Sequence, residues 1–79
     1  MLKIEITYCA VWHYTDRAVS LVDELLKNYE HLIESVALIP SDEGRFEVSM
    51  NGKIIFSKLQ LKRHAEAGEI VKLISKIVE

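Results

Sequence analysis

One cysteine, one proline and three glycines are all that the 79 residues contain of the types that staple or punctuate a chain. A lone cysteine, Cys9, excludes an internal disulfide framework and every multi-thiolate zinc or iron–sulfur site built within one chain. A reducing compartment, the cytoplasm, is the expected setting. An excess of positive charge is also lacking: 10 Lys and Arg stand against 12 Asp and Glu, a formal net charge of -2. Without a basic field for phosphates, nucleic acid is not an expected partner. No apolar run approaches the ~18 residues of a membrane span, and Met1-Leu2-Lys3-Ile4-Glu5 alternates charge with apolar residues, unlike a signal peptide. What is present, 49% hydrophobic and 28% charged residues, suits one small domain over residues 1–79. Its expected stability is small, roughly 3 to 5 kcal/mol at this length.

Periodicity supplies the elements. Leu2, Ile4, Ile6 and Tyr8 alternate with Lys3, Glu5 and Thr7, the period of a strand with one face in a core, ending at Cys9. Tyr14, Ala18, Leu21, Val22, Leu25 and Tyr29 then recur at helical spacing, which predicts a helix from near His13 to Tyr29. The run Ser35 to Ile39, closed by Pro40, reads as a buried strand. Beyond a turn at Ser41-Asp42-Glu43-Gly44, Phe46, Val48 and Met50 alternate up to Asn51-Gly52, a hairpin dipeptide, and Ile54-Ile55-Phe56 returns antiparallel. Ser57 to Ala65 reads as a connection. From Glu66 onward Ile70, Leu73, Ile74 and Ile77 form a second helical stripe, widened by Val71 and Val78.

The order β-α-β-β-β-α predicts an α/β domain, in α+β two-layer form: a four-stranded mixed sheet with two helices whose apolar stripes cover it. The first two strands should pair in parallel and the hairpin antiparallel. The edge formed by Ile54 to Lys58 could pair with a second copy, although Lys53 and Lys58 flank it.

Ligands in such sheets bind beyond the carboxyl ends of parallel strands, which is where Cys9 falls, between first strand and first helix. A thiol there would face unpaired N–H groups and the positive end of the helix dipole, both of which favour thiolate. His13 could serve as its proton partner. Two ligands do not make a metal site, so Cys9 and His13 at i, i+4 predict none. The alternative for Cys9 is a buried, inert small hydrophobe. Trp12 either packs over the loop or stands out as an anchor for a partner; packing is the preferred reading. Tyr8 and Tyr14 flank the loop and could line a groove, while His31 and His64 read as solvated surface residues.

The run Ile4-Glu5-Ile6-Thr7-Tyr8-Cys9-Ala10-Val11-Trp12-His13-Tyr14, followed by Arg17-Ala18, Glu24-Leu25-Leu26, Leu38-Ile39-Pro40-Ser41, Phe46-Glu47-Val48, Asn51-Gly52 and Ile55-Phe56-Ser57-Lys58, resembles the selenoprotein W and Rdx group of thioredoxin-like proteins. The resemblance spans nearly the whole chain and implies a thioredoxin-like architecture. It also implies thiol redox exchange at a Cys-x-x-Cys or Cys-x-x-selenocysteine motif after the first strand. Here Cys9 holds the first position and Trp12 the second, and Gly44-Arg45 stands where thioredoxins carry a cis-proline.

Two functions follow. In the first, Cys9 acts as a monothiol: it forms a mixed disulfide with glutathione or a protein thiol, and an external thiol resolves it. No cofactor is expected beyond glutathione as co-substrate. In the second, the fold is a redox-inactive binding module that docks a protein through Tyr8, Trp12, His13 and their loop. Whether the chain is an enzyme depends on which holds.

Overall fold

Alternation decides the first element: Leu2, Ile4, Ile6 and Tyr8 are buried on one side of β1 (Leu2–Cys9), while Lys3 and Glu5 are exposed on the other. The computed structural model describes residues 1–78. After β1 come α1 (Thr15–Tyr29), one turn of 3₁₀ helix (Glu30–Leu32), β2 (Ile33–Ser41), β3 (Phe46–Met50), β4 (Lys53–Ser57), a short α2 (Lys58–Leu61) and α3 (Glu69–Val78). The sheet runs β2-β1-β3-β4, with β1 and β2 parallel and the other two pairings antiparallel. This is the expected mixed sheet, with α2 added.

Both long helices lie on the same face. One buried cluster joins Leu2, Ile4, Ile6 and Tyr8 to Phe46, Val48, Met50 and Phe56 of the antiparallel strands, and to Ala18, Leu21, Leu25, Ile70 and Ile74 of the helices. The Tyr29 hydroxyl donates to the Val71 carbonyl at 3.1 Å and ties α1 to α3. Helix layer and sheet layer therefore share one core, and Lys3, Glu5, Ser35, Ala37 and Ile39 look out from the uncovered face.

Four expectations need correction. The second strand is not buried: β2 is an edge strand with a neighbour on one side only, and most of its residues are exposed. Pro40 does not end it, because the ladder with β1 continues to Ser41. Ile77 is 50% exposed rather than core, since the buried stripe of α3 stops at Ile74 and the last turn reaches past it. That helix also begins at Glu69 instead of Glu66, after a turn at Gly68 with φ +76°.

The connection 57–65 holds α2, which the sequence marks with a capping box, Ser57-x-x-Gln60. Ser57 Oγ accepts the Gln60 N–H at 3.4 Å and donates to Glu47 at 3.1 Å, which is how a buried serine is satisfied at the end of β4. Lys62, in left-handed conformation, closes the helix.

Candidate functional site around Cys9

Cys9 is the last residue of β1 and is fully buried, at 0% exposure. Its N–H donates to the Arg45 carbonyl at 2.8 Å, while the next residue, Ala10, donates to the Ser41 carbonyl at 3.0 Å. The strand end is thus held from both sides, by the turn before β3 and by the end of β2. Past it the chain turns instead of entering a helix. His13 N–H donates to Ala10 O and Tyr14 N–H to Cys9 O, both at 3.1 Å, and His13 adopts φ +61°.

This turn changes the chemistry expected at the sulfur. Helix α1 starts only at Thr15, so Cys9 and His13 do not share a helical face and His13 is exposed at the turn's tip. The donor that reaches the sulfur is the Trp12 N–H, 3.3 Å from Sγ. The residue at the second position of the Cys-x-x-Trp segment therefore contributes its backbone to the first.

The Trp12 side chain does something separate. Its indole lies across Gly44, so close that a Cβ at position 44 would sit 2.5 Å from a ring carbon. Gly44 is buried and has φ +70°, a conformation that also favours glycine. The ring is nevertheless 56% exposed, packed on one side and open on the other. Lys58 Nζ stands 5.8 Å from its centroid and 5.6 Å from that of Tyr14, within cation–π range. Tyr14 in turn meets Trp12 edge-on at 6.2 Å and His64 at 4.7 Å.

His64 is thus half-buried against an aromatic ring rather than a solvated surface residue; His31 is exposed. Burial pushes the His64 imidazole below its ordinary 6.5, and the nearby charges of Arg17 and Lys58 push it the same way. Tyr8 points into the core with the other even residues of β1, away from any docking surface. The turn after Cys9 thereby gathers Lys58 and His64 around Trp12 and Tyr14, and of these His64 alone comes from a segment that carries no motif.

A cavity of 380 Å³ lies between α1 and residues 64–70, over core side chains Leu21, Phe46 and Ile70 with Arg17 and His64 at its rim. Cys9 does not line it, so it is no approach to the sulfur. Among the described residues no group of three or more His, Cys, Asp or Glu could hold a metal, and no helix is long and apolar enough to cross a membrane.

A β-α-β-β-β-α chain whose first strand delivers a cysteine to a turn, opposite the turn that opens the antiparallel strands, is a thioredoxin-like domain. More narrowly, the chain belongs to the Rdx family, whose model matches residues 3–76. It is similar to the crystal structure of a selenoprotein W-related protein from Vibrio cholerae, with 33% identity, a TM-score of 0.91, and coverage of 99% of this chain and 98% of that one. A protein of known structure from Bordetella parapertussis is also similar, at 25% identity and a TM-score of 0.89, covering 95% of each chain. No curated protein matches the chain.

Proposed function

We propose that the chain is a thiol redox protein that works through one sulfur, Cys9. The observation that carries this reading is the Trp12 N–H directed at Sγ from 3.3 Å, a hydrogen bond accepted by the one cysteine of a chain that belongs to the Rdx family. The Cys9 thiolate attacks one sulfur of a disulfide, such as oxidised glutathione or a protein disulfide. A Cys9–sulfur bond forms, the partner's sulfur–sulfur bond breaks, and the partner's other half leaves as thiolate. A second, external thiolate then attacks the mixed disulfide and releases Cys9. Because Sγ is buried, the partner reaches it by displacing the turn 10–13, whose Val11, Trp12 and His13 are exposed. Cys9 is the catalytic residue, with Trp12 and His13 on the partner's side. The cytoplasm would supply the resolving thiol.

A second reading, a redox-inactive module that docks a protein on the Trp12 face, is favoured by the complete burial of Cys9 beside so exposed an indole. Intact mass after incubation of the folded chain with oxidised glutathione separates the two. The redox reading expects one adduct, removed by dithiothreitol and absent from Cys9→Ser. An adduct that forms only in denaturant overturns it in favour of the docking module. In either case the unaltered chain should not reduce insulin as a dithiol, since one thiol cannot close an internal bond.

A further inference from the structure

The two edges of the sheet are built differently. β4 is five residues long, starts at Lys53 and is followed at once by Lys58, the charged punctuation that discourages strand addition. β2 is nine residues long and carries no charge from Ser35 to Ser41. Leu38 and Ile39 on it are 38% and 39% exposed.

Hydrogen-bond direction along β2 follows from two contacts. Ala10 N–H reaches the Ser41 carbonyl, so Ser41 turns its backbone groups toward β1; Cys9 N–H, one residue before, points the other way to Arg45. Since direction alternates along a strand, Ile39 and Ala37 also face β1, whereas Val36, Leu38 and Pro40 direct their backbone groups away from the sheet. This explains how a proline sits in an eight-pair ladder: its missing N–H falls on the outer side. It also leaves Val36 and Leu38 with outward N–H and C=O groups that no strand of the sheet pairs.

We infer that this edge is an isologous interface at which β2 pairs antiparallel with β2 of a second copy, about a two-fold axis at Ala37. The register is bounded on both sides. Pairing shifts between Leu2 and Lys3, which makes Glu34 an irregularity at one end, and Pro40, without a donor, ends the other. The stretch between them is centred on Ala37. In that register Val36 and Leu38 exchange both backbone bonds with Leu38 and Val36 of the other copy, and no outward donor between the two ends is left over. The side chains agree: Val36 meets Leu38 on the helix side, Ser35 meets Ile39 and Ala37 meets itself on the open side, with no like charges opposed. The result is an eight-stranded sheet running through two copies. The Cys9 chemistry is independent of it.

Ala37 would lie opposite itself as a non-hydrogen-bonded pair, with Cα atoms about 4.5 Å apart, a separation a disulfide can bridge. Ala37→Cys in a Cys9→Ser chain should therefore give a covalent dimer on mild oxidation, while Ser35→Cys in the same background, which faces Ile39, should not. Ala37→Lys, on the exposed face, should keep the melting temperature that the parent shows at concentrations where it is monomeric, and sediment as a monomer under conditions where the parent sediments as a dimer. Three results each overturn the inference: a parent chain that is monomeric across the soluble concentration range, equal cross-linking through Ser35→Cys and Ala37→Cys, or a dimer that survives Ala37→Lys.

Discussion

Leu25 and Cys9 are both completely buried, yet by different means. Leu25 lies inside a cluster drawn from three strands and two helices, each fixed by its own ladder or helical bonds. Cys9 is buried at the edge of that cluster, beside a turn of three exposed residues whose chief tertiary anchor is an indole lying on a glycine. Burial of the first kind gives way only when the domain unfolds; the second can be relieved by moving a few residues. Equal exposure thus hides unequal opening free energies.

The comparison breaks most visibly under truncation. Leu25→Ala and Ile74→Ala should each cost about 2 to 5 kcal/mol, as much as the whole stability expected of a domain this small. Urea midpoints read the loss, and Ile77→Ala, from the exposed end of α3, should leave the midpoint nearly unmoved. Next in size is Trp12→Cys. Residues 9 and 12 span a tight turn, so an internal disulfide should form on mild oxidation and reopen with dithiothreitol, with some insulin reductase activity. Failure to form it in the folded variant would remove position 12 from redox geometry.

Trp12→Ala sharpens the contrast from the other side. It should lose far less stability than Leu25→Ala while speeding alkylation of native Cys9 severalfold; an unchanged rate would mean that the turn does not gate the sulfur.

The smallest effect lies away from both sites. Arg63 forms a paired contact with Glu69 at 2.7 and 2.8 Å, and with the Glu66 N–H it holds the Glu69 carboxyl down from 4.5 to about 2. A carboxylate depressed on folding contributes stability that is present above its unfolded value and is lost as pH falls from 4.5 toward 2. With Arg63 46% exposed, solvent screening limits this to about 1 kcal/mol or less. Glu69→Gln should remove that much at neutral pH and leave stability unchanged near the acid end, as urea melts at the two pH values would show. His64 acts in the same sense at higher pH: its lowered value makes folding less favourable as pH falls through about 6.5.

What could be read from the residues divides along the same line. Strand β1, helix α1 and the Asn51-Gly52 hairpin were legible because their side chains repeat at the period of the element and one face of each meets the core. The apolar run of β2 misled, since continuous apolar character marks a buried strand and this one is an edge. Ile77 misled because periodicity continues whether or not there is a layer left to cover it. At the site, Cys9 and Trp12 were visible as a spacing after a strand. The Trp12–Gly44 contact, the approach of Lys58 and the packing of His64 on Tyr14 join positions more than thirty residues apart, and no local pattern records such pairings. Ser57-Gln60 was readable and lay in the stretch that looked least patterned.

The indole resting on Gly44 also orders the changes that the two loops can accept. A side chain at 44 would have to occupy space the ring already fills, in a conformation that most residues resist. Position 12 must therefore shrink or swing aside before position 44 can grow, whereas loss of the indole needs no prior change at 44. Substitutions at these two sites should be strongly non-additive, with Gly44→Ala tolerated better in a Trp12→Ala chain than in the parent. The Cys9 loop and the turn facing it should thus accept changes as one unit, with a residue 32 positions away limiting which side chain can stand at position 12.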